Sequence, residues 1–356
     1  MTATNPELFR AVQIDLTRCL RAFERAQQDI RFENIAAAHD ELRTEIGNTL
    51  GEIEHFAADQ RGRDEHDASA REFQACTNLF REAVDLFLSA DRWPEFGAAY
   101  MASRRRQCQS LERLYRGLRQ WPHMAAYFSL DANHEDAGDG AGEHTGITHH
   151  ERQQGRHDYS LYVPESYDAS KAYPLVVALH GGYGRGDEYL WTWLRIARAR
   201  RYILVAPKSV GPTWSIVQPP IDRNSIFAAM DEVSSRFNVD HEKVLLTGLS
   251  DGATFSFVVG LGAAERFTAM APIAGVLSPN MDVLLRQKSA IDLPIHVVHG
   301  AHDTIFPVVT ARSFTTLMSQ IGYNLKYTEL PDWGHALTYR INEQQVLPWF
   351  EQIING

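Results

Sequence analysis

Cysteine is scarce in this chain: three occur in 356 residues, Cys19, Cys76 and Cys108, with no CxxC pair among them. An odd count at wide spacing argues against a disulfide framework and against a thiolate metal site, and leaves reduced thiols packed as small apolar groups. Long apolar runs are missing as well. No stretch offers about 18 consecutive uncharged apolar residues, so no membrane-spanning helix is expected. The opening MTATNPELFRAVQIDLTR has no apolar run leading to a small-residue cleavage site, and the expected location is cytoplasmic. Positive charge is short: 35 Lys and Arg stand against 45 Asp and Glu, a net −10. Residues 1–150 hold 25 acids against 17 bases, and the remainder 20 against 18. Such a balance argues against nucleic acid as a partner, because a phosphate backbone needs clustered bases. The one tight cluster, Arg104, Arg105 and Arg106, falls in a mixed-charge helical stretch and reads as a solvated or ion-paired face.

What is present is ordinary globular material, 44% apolar and 22% charged, in a length that suits two domains. From about 6 to 122 apolar residues recur at helical spacing, as in Leu42, Ile46, Leu50, Ile53 and Phe56, then Phe73, Cys76, Phe80, Val84 and Phe87. Four amphipathic helices fit, with breaks near Gly62 and at Pro94. No repeat of about 34 residues supports a solenoid, so residues 1–130 are expected to form a compact helical bundle, a candidate surface for homo-oligomer formation or for covering an active site. Residues 131–156 lack apolar periodicity and read as a linker or surface loop. His134, His144, His149 and His150 lie there, but their spacing fits no familiar ligand pattern, and no metal is expected.

After residue 157 short apolar runs alternate with helical stretches. Candidate strands are 159–163, 175–180, 202–206, 244–248, 269–273, 295–299 and 325–329; candidate helices are 187–200, 222–237, 251–263, 309–321 and 342–354. That alternation predicts an α/β domain over 157–356, a mostly parallel sheet covered by helices on both faces, with reactive groups outside the carboxyl ends of the strands.

Three strand-end segments carry chemistry. VLLTGLSDGA sets Ser250 between a strand and a helix in a GxSxG pattern, where a sharp turn lifts the hydroxyl and leaves no room for side chains at Gly248 and Gly252. The Asp251 N–H, at the helix start, is placed to meet an oxyanion. HGAHDTIFP puts Asp303 just past a strand, and LPDWGHAL puts His335 on a loop after the last one. A serine becomes nucleophilic when a neutral imidazole takes its proton, and a carboxylate fixes that imidazole's tautomer. His299 and His302 compete for the base role and Asp332 for the acid role, but His299 ends a strand and Asp332 lies too near His335. LHGGYGRG, after another strand, supplies glycines that let backbone N–H groups face the reaction centre; Gly182 is the first candidate and Tyr183 the second. His180 is expected to support that loop, and no Walker lysine follows it to make a phosphate site. Trp214 and Ile216 are candidate walls of a substrate cleft, and Trp191, Trp193 and Trp333 are further candidates.

With LYVPESYDASKAYPLVVALHGGYGRGDEY, GLSDGA, HGAHDTIFP and DWGHAL together, residues 157–356 resemble the phospholipase/carboxylesterase branch of the α/β-hydrolases, and similar strings occur in feruloyl esterase and polyhydroxybutyrate depolymerase relatives. The resemblance implies a cofactor-free serine esterase acting on a small-molecule ester, with Gly182 and Asp251 supplying the oxyanion hole. A peptidase or acyltransferase on the same three residues, or a scaffold that binds a partner, are the competing readings. Asp251 departs from the pattern, since a neutral residue often follows the serine; its carboxylate is expected to point away from the hole.

Overall fold

The computed structural model describes residues 6–63, 67–130, 144–151, 158–278 and 281–356. Chain contacts divide it into two units, Met1–Ala132 and Asn133–Gly356.

Among the described residues the first unit holds five α-helices where the periodicity suggested four: α1 (Pro6–Asp29), α2 (Ile35–Ile46), α3 (Thr49–Arg63), α4 (Ala68–Phe87) and α5 (Glu95–Arg116). The apolar stripe from Leu42 to Ile53 runs through a break, because Gly47 takes φ 43° and returns its N–H to Arg43 O at 3.0 Å. Glycine bears that conformation without Cβ strain, and α3 restarts with its apolar face still inward. Asp67 caps α4 by accepting the Ser69 and Ala70 N–H groups, worth about 1 kcal/mol. Phe23 meets Phe80 and Phe87 edge-on at 5.6 and 5.3 Å in the core. The arginine cluster is only partly a surface feature: Arg106 pairs with Glu82 at 2.9 Å, whereas Arg104 is buried and donates to Gln107. All three cysteines are free and buried, and burial pushes the Cys19 thiol up to about 11.

The second unit is built on eight strands among the described residues: β1 (Gly146–His150), β2 (Tyr159–Val163), β3 (Tyr173–Leu179), β4 (Ile203–Pro207), β5 (Val239–Leu249), β6 (Ala269–Ile273), β7 (Ile295–Gly300) and β8 (Leu325–Leu330). Their order is β1-β2-β4-β3-β5-β6-β7-β8. β1 and β2 pair antiparallel with their neighbours, and all pairings from β4 to β8 are parallel. Helices α6 (Gly186–Tyr189), α7 (Trp191–Arg200), α8 (Pro220–Arg236), α9 (Asp251–Gly262), α10 (Asp282–Gln287), α11 (Val308–Ile321), α12 (Tyr339–Ile341) and α13 (Leu347–Asn355) connect and flank the strands. Strands β2, β4, β6 and β7 are buried at every residue, as a sheet covered on both faces requires. Each fully buried Val, Leu, Ile or Phe in that core contributes roughly 1.5–3 kcal/mol.

Two elements were not foreseen. Residues 146–150, read as linker, form the edge strand β1, paired with β2 over five residues. The short helix α10 also lacked a sequence signal. Two of the histidines of the presumed linker, His149 and His150, have ordinary partners. His149 Nδ1 lies 2.8 Å from Ser160 Oγ, and His150 stacks on Tyr159 at 4.6 Å. His134 lies outside the described residues, among which no three His, Cys, Asp or Glu side chains group as a metal site. No described helix is long and apolar enough to cross a membrane.

Candidate active site

β5 ends at Leu249 and α9 begins at Asp251, which leaves Ser250 alone in the turn at φ 58°, ψ −117°. A serine with positive φ stores on the order of 1–3 kcal/mol and persists only where its surroundings hold it. Here Ser250 N–H donates to Ile273 O and Ser250 O accepts from Thr254 N–H, both at 2.9 Å. The flanking glycines are fixed by contact. A Cβ on Gly248 would stand 2.6 Å from Gly252 O, and one on Gly252 would stand 2.4 Å from both Leu179 O and His180 O. The elbow is therefore pressed against the end of β3, from which the 180–184 loop departs.

His335 reaches the elbow from the loop after β8. Its Nε2 lies 2.8 Å from Ser250 Oγ, and its Nδ1 lies 2.7 Å from Asp303 Oδ2. An ionised carboxylate only accepts, so Nδ1 carries the ring proton and Nε2 offers a lone pair to the serine hydroxyl. Asp303, buried past the end of β7, is held by its other oxygen, which accepts Ile305 N–H at 2.9 Å and Phe306 N–H at 2.7 Å. The β7 and β8 loops can approach because residue 300 is glycine: a Cβ there would lie 2.3 Å from Trp333 O.

His299, the rival base, is fully buried. Its Nε2–H donates to Phe306 O at 2.8 Å and passes 3.4 Å from Asp303 Oδ2. Burial holds its pKa below the ordinary histidine value against the pull of Phe306 O and Asp303, so the contact with Asp303 is that of a neutral ring. His302 contributes a backbone N–H to Trp333 O at 3.0 Å, and Asp332 is exposed.

The 180–184 loop sorts the two oxyanion candidates. Tyr183 N–H is given to Pro212 O at 2.7 Å in a left-handed residue of φ 60°, which removes it as a donor to substrate. Among the described residues the N–H groups of Gly182 and Asp251 meet no acceptor, and a Cβ built on Gly182 would touch Asp251 Cβ at 3.6 Å. The Asp251 carboxylate is turned to Trp214, whose main-chain N–H it accepts at 2.7 Å.

The two candidate wall tryptophans are buried. Trp214 is only 3% exposed; its indole stacks on Phe255 and its Nε1–H donates to His180 O at 2.8 Å. Trp333 is 4% exposed. In each the ring is spent on the interior. Exposed apolar surface on these loops comes instead from Tyr183, 72% exposed, and Ile305, 43% exposed.

Residues 224–344, which contain Ser250, Asp303 and His335, match the phospholipase/carboxylesterase family model. The second unit has the α/β-hydrolase fold, and about a third of the chain is similar to that family. The α/β-hydrolase is similar to a bifunctional acetylxylan esterase/xylanase of Neocallimastix patriciarum, 28% identical over 45% of this chain and 23% of the relative. It is also similar to a probable feruloyl esterase C of Aspergillus niger, 24% identical over 52% of this chain and 68% of the relative. A feruloyl esterase C of Emericella nidulans is 26% identical over 52% of this chain and 70% of its own. The chain thus spans under a quarter of the first relative and about two thirds of the others.

In this α/β-hydrolase, sequence reasoning missed Phe306, which meets the His335 ring edge-on at 5.6 Å and accepts the His299 proton through its carbonyl. Its position three residues after Asp303 in an Asx-type turn was the available signal. His180 does support its loop. It donates Nδ1–H to Gly181 O at 2.7 Å and accepts Ser209 N–H at Nε2 at 3.1 Å, which fixes a neutral tautomer. Burial lowers its pKa from 6.5 to about 4. A lowered histidine pKa means the unfolded chain takes the proton first. Its contribution is present above pH 6.5 and is lost as pH falls through about 4, by roughly 3 kcal/mol in total. Replacing His180 with Gln should flatten the loss of stability between pH 7 and 4.5, read from urea midpoints; equal slopes in the two proteins would refute this.

Proposed function

We propose that the α/β-hydrolase unit cleaves carboxylic esters through an acyl-serine intermediate, with Ser250 as nucleophile, His335 as general base and acid, and Asp303 as the group that orients the imidazole. His335 Nε2 takes the Ser250 proton as Oγ bonds the ester carbonyl carbon. The carbonyl oxygen becomes an oxyanion that accepts the N–H groups of Gly182 and Asp251. Collapse of the tetrahedral species expels the alcohol, protonated by the imidazolium, and a water activated by the same nitrogen then releases the acid.

The observation that carries this reading is the unbroken series of short contacts from Asp303 Oδ2 through His335 to Ser250 Oγ, 2.7 and 2.8 Å, beside two unspent N–H groups. The names of the curated relatives, acetylxylan and feruloyl esterases, support an ester of a carboxylic acid as the substrate class. A panel of short-chain aryl esters, feruloyl and acetyl sugar esters, and peptide amides tests it. Esters should turn over with kcat/KM at least about 10²-fold above amides of the same acyl group, a gap of about 2.7 kcal/mol in barrier. Preference for amides would assign a peptidase, and transfer to an added alcohol in place of water an acyltransferase.

A further inference from the structure

The carboxylate directly behind the proposed nucleophile has a task that a helix N-terminus does not explain. An acid at this place favours the helix dipole wherever its side chain points. Asp251 instead sends Oδ2 to the main-chain N–H of Trp214, 37 residues away in sequence. Burial pushes its pKa above the ordinary carboxylate value, with the charge of Asp222 adding to the rise. A carboxyl group retained in such a place points to a function that outweighs its own desolvation.

The segment it grips is otherwise tied to the oxyanion loop. Trp214 Nε1–H donates to His180 O, Ser209 N–H to His180 Nε2, and Tyr183 N–H to Pro212 O, at 2.8, 3.1 and 2.7 Å. The far side of the same segment is gathered by Asp222, which accepts Val210 N–H, Ser215 N–H and Ser215 Oγ–H, each at 2.7 Å. Residues 209–215 and 180–183 therefore hold one another, and the Asp251 carboxylate joins that pair to the elbow.

We infer that Asp251 is a positioning residue: by gripping the Trp214 main chain it sets the 180–184 loop against the nucleophile elbow, so that the N–H groups of Gly182 and Asp251 converge on one oxygen. This rests on the ester-hydrolysis reading. The bond acts on the geometry of the oxyanion donors and touches no part of the substrate's body, so its loss should weaken transition-state binding and leave ground-state binding alone.

The test compares the full-length protein with Asp251→Ala and Asp251→Asn, measuring kcat and KM on p-nitrophenyl acetate, inhibition by phenylboronic acid and Tm. The boronic acid forms a tetrahedral adduct with the serine oxygen and reports on the oxyanion donors. In Asp251→Ala, kcat should fall about 10- to 100-fold with KM within about twofold, and boronic acid inhibition should weaken by the same factor as kcat. Asp251→Asn keeps an oxygen acceptor for Trp214 N–H and should return kcat to within about fivefold of the unmutated protein, with Tm unchanged or higher because the buried charge is gone. A purely structural role would lower Tm and leave kcat and boronic acid inhibition alike, and that result overturns the inference, as does an Asn variant no more active than the Ala variant. If the Ala variant does not fold, Asp251→Glu decides: its longer arm moves the acceptor away from the Trp214 N–H, so a fall in kcat matched by weaker boronic acid inhibition is expected, and unchanged kcat and inhibition reject the inference. An unmutated protein with no ester turnover and no fluorophosphonate labelling of Ser250 would refute the hydrolysis reading itself, and this inference with it.

Discussion

Replacing Ser250 with alanine is expected to lower kcat on its best ester by about 10⁵- to 10⁶-fold and to abolish fluorophosphonate labelling, because no other hydroxyl is bonded to His335 Nε2 among the described residues. The fold should survive, since the elbow is held by the main-chain groups of residue 250, which both variants below retain. Alanine keeps the strain of a Cβ at φ 58°, whereas glycine removes it. Ser250→Gly should therefore be as inactive as Ser250→Ala yet about 1 kcal/mol more stable. Denaturant midpoints and turnover measured on the pair separate the two effects. Residual turnover within a hundredfold of the unmutated protein in either variant would remove Ser250 from the chemistry.

Asp303→Asn should come next in severity, lowering kcat about 10⁴-fold with much less effect on KM. The asparagine oxygen can still accept Ile305 and Phe306 N–H, so the turn that carries it should persist. Its amide nitrogen then faces His335 Nδ1 and can only donate, which places the ring proton on Nε2, where it blocks uptake of the serine proton. Fluorophosphonate labelling should slow by the same factor as kcat, since both begin with that proton transfer. His299 cannot restore the tautomer, because its Nε2–H is already given to Phe306 O. Labelling at the unmutated rate would show that the imidazole is oriented by something other than Asp303.

That Ser250, Asp303 and His335 would meet was legible in the sequence because each sits in a short local pattern: a strand, one or two glycines or a turn, then a helix. Gly248, Gly252 and Gly300 are required by contacts below 3 Å that only a close meeting of backbones produces, and such glycines mark themselves in the sequence. The parallel strands were equally legible, since burial on both faces leaves unbroken apolar runs such as AMAPI and ILVAP. What failed was whatever depends on a distant partner. The Tyr183 N–H looked available until Pro212 O was found against it. Trp214 and Trp333 have the composition of cleft walls, and only packing tells a wall from a core residue. The apolar stripe of α2 and α3 counted as one helix because the turn at Gly47 leaves it in phase.

Strand β1 escaped notice for a related reason. Its five residues, GITHH, are half polar, and nothing in them announces a sheet until they lie beside Tyr159–Val163. Its place at the end of the sheet has a practical consequence for cutting the chain in two. A fragment that starts near residue 155, where a linker would seem to finish, discards this strand and leaves the outer edge of β2 with open amides and carbonyls, a template on which other molecules can stack and aggregate. Starting at 144 keeps β2 paired and leaves as the open edge only the five polar-rich residues of β1, so the longer piece should aggregate less than the shorter one.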